Sequence, residues 1–144
     1  MRAQHLLAAL LIAGILIGLS TSAPAQTSTR KVFEVAMTSF KYEPNQLRFN
    51  EGDTVVIRLR NIDPFGRPHQ VASTYLLNIP LIVRGDAQQG INEGRKFVTV
   101  EAGKQAEFEF VAQGRGSYAF ICALFNHAIN GQTGMLFVQP AGSP

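Results

Sequence analysis

The feature that most constrains the fold is the two-residue period of TVVIRLRN at 54–61 and AEFEF at 106–110. In an extended chain successive side chains point to opposite faces. Val55, Ile57 and Leu59 therefore share one face while Arg58 and Arg60 take the other, and Phe108 and Phe110 are set against Glu107 and Glu109 in the same way. This is the pattern of half-buried strands. Further strands are expected at 31–37, 46–50, 68–73, 78–83, 96–100, 116–122 and 134–138, divided by turn residues such as Glu51-Gly52-Asp53, Asp63-Pro64, Ala102-Gly103 and Gly114-Arg115-Gly116. No segment carries a long amphipathic helical period. Short strands at this spacing predict an all-β fold, a Greek-key sandwich or barrel of about eight strands. The polar, glycine-rich run RGDAQQGINEGR at 84–95 is expected to be a loop or a short helical excursion, and the ends QTSTR and QPAGSP to be flexible tails.

The first residues, MRAQHLLAALLIAGILIGLSTSAPAQ, run from a basic start through an apolar stretch, Leu6 to Leu19, to the small-residue site Ala23-Pro24-Ala25. That is the pattern of a secretory signal peptide, and the apolar run is too short to span a bilayer. Residues 1–25 are expected to be removed, leaving a single domain at 26–144 that is exported to a periplasm or to the extracellular side and has no membrane attachment of its own. With no cysteine at the cleavage site, a lipidated N-terminal cysteine is excluded. The composition, 46% hydrophobic and 16% charged, is that of a globular domain. The 13 Lys and Arg against 10 Asp and Glu are scattered, so nothing forms a nucleic-acid patch.

Beyond the signal two histidines remain, His69 and His127, with the chain's one cysteine, Cys122. A lone cysteine in an exported chain cannot close an internal disulfide, and so is buried, reactive or metal-bound. A buried cysteine is also an ordinary small core residue. Two imidazoles and a thiolate, however, are the donor set of a trigonal copper site, which adds a weak axial Met or Gln. Cys122 and His127 stand either side of four residues between two expected strands, so one tight loop can present both donors to one ion. His69 comes from a separate strand, just after Pro68. Gln132 and Met135 both follow close behind as axial candidates.

The segments EGDTVVIRLRN, RPHQV, VEAGKQAEFEF and GSYAFIC, with the loop that follows, resemble the cupredoxins, the family of the plastocyanin, auracyanin, rusticyanin and sulfocyanin types. The resemblance runs from about Val32 to Val138. It implies one type 1 copper ion held by His69, Cys122 and His127. In the rusticyanin-like and sulfocyanin-like loop, four residues separate Cys from His and four more separate His from the axial Met. That count lands on Gln132, so the axial role goes to Gln132 with Met135 as the alternative. The family's usual asparagine after the first histidine is here Gln70, which leaves the bracing of the two ligand segments open.

The resemblance implies a one-electron carrier rather than an enzyme. Multicopper oxidases and two-domain nitrite reductases need more histidines, and a dinuclear copper domain needs two cysteines, than this chain supplies. The apolar residues Ala123, Leu124, Phe125, Ala128 and Ile129 around His127 are expected to form a docking patch for a transient redox partner, a cytochrome, an oxidase or a dehydrogenase. The segment 84–95 is a candidate for choosing that partner, and a monomer is expected. Two other classes compete: a periplasmic protein that buffers or delivers copper, and a metal-free sandwich that binds another protein.

Overall fold

The computed structural model describes residues 28–144; the expected signal peptide, 1–25, lies outside the described residues. Eleven strands follow one another without a helix among the described residues: β1 Arg30–Thr38, β2 Lys41–Glu43, β3 Gln46–Asn50, β4 Thr54–Asn61, β5 His69–Ser73, β6 Ile82–Gly85, β7 Ala87–Asn92, β8 Arg95–Val100, β9 Gln105–Val111, β10 Gly116–Ile121 and β11 Thr133–Gln139. One sheet has the order β2-β1-β4-β9-β6 and the other β3-β11-β10-β5-β8-β7. Both are mixed, because β1 pairs parallel with β4 and β3 parallel with β11. The architecture is a two-layer sandwich, not a closed barrel, and has more strands than the sequence suggests.

The alternation holds where it was read. Val55, Ile57, Leu59, Phe108 and Phe110 are buried, while Arg58 and Arg60 are exposed. They meet Leu47, Phe49, Val71, Val98, Phe120, Leu136 and Val138 of the opposite sheet in one hydrophobic core. On the outer face Arg58 bonds Glu34 and Glu107, and Arg84 bonds Glu107 and Glu109. Like charges across strands are thus interleaved with opposite ones.

Three expectations change. Residues 84–95 are neither loop nor helix: they complete β6 and form β7, which pairs with β8 from Ala87↔Val100 to Asn92↔Arg95. As a sheet edge, most of β7 is wet, so it carries no apolar alternation to read. Its Gly90 makes room for Phe97, whose ring atom Cζ would lie 3.0 Å from a Cβ there. The segment 78–83 becomes strand only at Ile82, because a turn that buries Tyr75, Leu76 and Ile79 precedes Pro80. The described parts of the tails are also tied down: Thr29 donates from N and Oγ1 to Asp53 Oδ1, at 3.1 and 2.7 Å, and Asn50 Nδ2 donates to the carbonyl of Ser143 at 2.8 Å.

Candidate metal centre

The register of the second sheet brings the donors to one end of the sandwich. Ile121 of β10 lies opposite Ala72 of β5, so the chain leaving β10 runs toward the start of β5, where His69 opens the strand opposite Val100. Cys122 is the next residue. Its N–H donates to the carbonyl of Gln132 at 3.1 Å, closing the base of a loop whose far side is β11. Within the loop His127 N–H donates to Leu124 O, Gly131 N–H to Ala128 O and Gln132 N–H to His127 O, at 3.1, 3.0 and 3.0 Å. Gly131 has φ of 105°, a conformation that favours glycine, and Phe125 is held in the left-handed region at 49°.

His69, Cys122 and His127 each aim one donor atom into a common space, all within 4.8 Å of one another. Cys122 Sγ lies 3.3 Å from His127 Nδ1, and the two imidazole centroids are 5.1 Å apart. His69 and Cys122 are fully buried, and 5% of His127 is exposed. Burial pushes the Cys122 thiol up, while hydrogen bonds from the backbone N–H groups of Leu124 and Gln70 to the sulfur oppose that shift and favour the thiolate. Burial, together with the charges of His69 and Arg67, pushes the His127 imidazole down and favours the neutral form that can ligate.

Among the described residues, two buried side-chain polar atoms lack a hydrogen-bond partner, His69 Nδ1 and Gln132 Oε1. Such atoms are rare in a folded interior and call for an explanation. The other nitrogen of His69, Nε2, lies 3.0 Å from Asp63 Oδ2, which leaves Nδ1 as the free donor. Gln132 is likewise fully buried, with Nε2 donating to the carbonyls of Thr38 and Lys41 at 3.4 and 3.3 Å, so the amide oxygen is the free end. Three donors of thiol and imidazole type within 4.8 Å of one another fit copper.

Met135 sits inside β11, opposite Ala119 and Gln46, and is half-buried. The alternation of that strand puts it on the face opposite Leu136. The Gln70 side chain turns toward β8 and donates to Thr99 Oγ1 at 3.0 Å. It is the backbone N–H of Gln70 that reaches the cysteine, and its carbonyl accepts from the Tyr42 hydroxyl. Sequence reasoning missed Asp63, which looked like turn punctuation before Pro64. Its distance in sequence from a histidine six residues on gave no periodic signal.

The rim of the site is apolar. Phe125 and Ile129 are 83% and 86% exposed, and Phe65, from the loop before His69, is 70% exposed. The rings of Phe40 and Phe125 stand 5.3 and 5.7 Å from that of His127. Of the other residues expected around His127, Ala123 is exposed, while Leu124 and Ala128 are half-buried and Leu124 packs against the core.

Among solved structures, auracyanin B superposes with a TM-score of 0.59 at 16% identity over 76% of this chain and 89% of its own. Auracyanin A, a "blue" copper protein from the green thermophilic photosynthetic bacterium Chloroflexus aurantiacus, gives 0.54 at 15% over 76% and 99%. A multicopper oxidase from Campylobacter jejuni, a metallo-oxidase, gives 0.59 at 11%, with 84% of this chain covering 32% of that one. These similarities establish the sandwich. No curated protein matches the chain in sequence. The profile of the cupredoxin-like domain matches residues 8–138, most of the chain, and the chain accordingly belongs to the cupredoxin-like family.

Proposed function

We propose that the protein is an exported one-electron carrier built on a single type 1 copper site, with His69 Nδ1, Cys122 Sγ and His127 Nδ1 as the strong donors and Gln132 Oε1 as the weak axial one. The observation that carries this reading is the convergence of the three donors His69, Cys122 and His127; that Gln132 Oε1 is buried without a hydrogen-bond partner supports the axial assignment. Copper, when bound, supplies the one-electron couple. The chain supplies the rest: a buried thiolate braced by two backbone N–H groups, two imidazoles in fixed orientation, and a dry interior that keeps water from the donors.

The Gln132 amide supports the axial assignment because the carbonyls of Thr38 and Lys41 hold its nitrogen and leave the oxygen turned away from them. Met135, on a regular strand, has no comparable reason to reach the donors. The exposed fraction of His127 within an apolar rim is the natural place for an electron to leave, and a rim of Phe125, Ile129 and Phe65 suits a small, transient interface with a redox protein. Delivery of copper to another protein would need donors that a recipient can reach, and here they are buried.

The test is a visible and electron paramagnetic resonance titration of the mature domain, residues 26–144, with Cu(II). An intense thiolate-to-copper absorption at one equivalent, bleached on reduction and lost in Cys122→Ser, is expected. A pale, tetragonal spectrum would overturn the carrier reading in favour of copper buffering, and no stoichiometric binding would leave a metal-free interaction domain.

A further inference from the structure

Asp63 is a buried carboxylate with more partners than a turn requires. Its Oδ1 accepts from the backbone N–H of Phe65 at 2.7 Å, the ordinary bond of an Asx turn. Its other oxygen, Oδ2, accepts from the Ser39 hydroxyl at 2.8 Å and faces His69 Nε2 at 3.0 Å. Both side chains of the Asp63 and His69 pair are 0% exposed. A charge in such a place is tolerated only when it is paired and hydrogen-bonded. Both oxygens of Asp63 thus act as acceptors, Oδ2 from the Ser39 hydroxyl and Oδ1 from the Phe65 N–H. The hydrogen bond to Oδ2 places a proton on Nε2, and Nδ1, buried and without a hydrogen-bond partner, is left as the free nitrogen.

The strut around Asp63 is itself fixed. Asp63 N–H donates to Asn61 Oδ1 at 3.0 Å, and Asn61 Nδ2 donates to the carbonyls of Arg67 and Val100 at 2.8 and 2.9 Å, joining the loop before His69 to the end of β8. Ser39 also accepts from Arg67 Nη1 at 3.3 Å, and the Arg67 guanidinium lies over Phe40 and Phe65.

We propose that Asp63 is a positioning residue for the metal centre: it locks His69 in the tautomer that leaves Nδ1 bare, and the hydrogen bond it accepts from Nε2 makes the ring a stronger donor, which biases the site toward the higher oxidation state of the ion. A carboxylate behind a ligating imidazole fixes the ring and raises its basicity, and removing such a partner typically costs 10–100-fold in metal affinity. This inference rests on the reading of His69 as a ligand.

The decisive variant is Asp63→Asn, which keeps the shape and the Phe65 bond but puts an NH₂ where Oδ2 was. Two donors cannot face each other, so His69 must move its proton to Nδ1. In the metal-free protein at about pH 8.5, well above the ordinary range of a free imidazole, ¹⁵N NMR should show Nε2–H in the wild type and Nδ1–H in the variant. In the copper-loaded protein the reduction potential should rise, by about 59 mV for each tenfold loss of Cu(II) affinity relative to Cu(I). An unchanged tautomer or an unchanged potential overturns the proposal. Ser39→Ala serves if Asp63→Asn does not fold: stripping one donor from Oδ2 makes it a better acceptor for His69, so the potential should fall, and a potential that stays or rises refutes the idea. A wild-type protein without a thiolate-to-copper band would instead sink the reading of the ligands, leaving the NMR result to stand by itself.

Discussion

Asn61→Ala tests how the loop carrying Asp63 and His69 is held. Asn61 is fully buried and makes three side-chain hydrogen bonds, all to backbone: it donates to Arg67 O and Val100 O and accepts from Asp63 N–H. Alanine removes one acceptor and two donors at a stroke. Stranding a buried backbone group costs about 1–3 kcal/mol. The Val100 and Asp63 groups are buried, whereas water can reach the half-buried Arg67 bond, so the three together should cost about 3–5 kcal/mol. That is a large share of the roughly 5–15 kcal/mol by which a domain is stable. With a urea slope of about 2 kcal/mol/M, the midpoint of the metal-free protein should fall by about 2 M without a change of slope. Asn61→Asp separates shape from donation: it keeps the acceptor for Asp63 N–H but sets a carboxylate against two carbonyl oxygens, and should be at least as damaging as alanine. A loss below about 1 kcal/mol for alanine, or an aspartate variant near wild type, would show that the bonds seen here do not hold the loop.

Gln132→Met should raise the reduction potential by at least about 59 mV, a tenfold change in relative affinity for a one-electron couple, because a thioether favours Cu(II) less than an amide oxygen does. Met135→Leu should leave spectrum and potential unchanged, and the reverse pattern would transfer the axial role. Gly134→Ala should destabilise the metal-free protein by about 3 kcal/mol or more, since its Cβ would lie 2.2 Å from Phe120 Cζ and 2.6 Å from the carbonyl of Asn45; thermal unfolding close to wild type would contradict that packing. Burial pushes the Asp53 carboxyl up, but the bonds from Asn50 N–H and from the hydroxyl and N–H of Thr29 outweigh it and hold it below the usual range. Its folded pKa is thus below the unfolded value of about 3.9, so its contribution is present above that pH and is lost as pH falls through the folded value. Acid titration of stability should show this loss below about pH 4, and Asp53→Asn should flatten it; an equally steep curve in the variant would exclude Asp53 as the source.

The sequence by itself determined the class of fold and the donor set. Alternation in β4 and β9 is a local property, written in the order of residues such as Val55, Arg58 and Phe108, because a strand's faces repeat every two positions. The Cys122 to His127 loop was legible for the same reason: both donors lie in one short segment whose flanking strands could be read. What only the tertiary structure decided depends on residues far apart in the chain. β7 is strand because β8 offers it a ladder, and an exposed edge needs no apolar face to announce it. The Gln132 amide is oriented by the carbonyls of Thr38 and Lys41, more than ninety positions away. Asp63 is joined to Ser39 on another strand connection and to His69 across its own loop. Hydrogen bonds to distant backbone and side-chain atoms leave no periodic trace in a sequence, and it is these bonds that fix which atom of each donor is free to meet a metal.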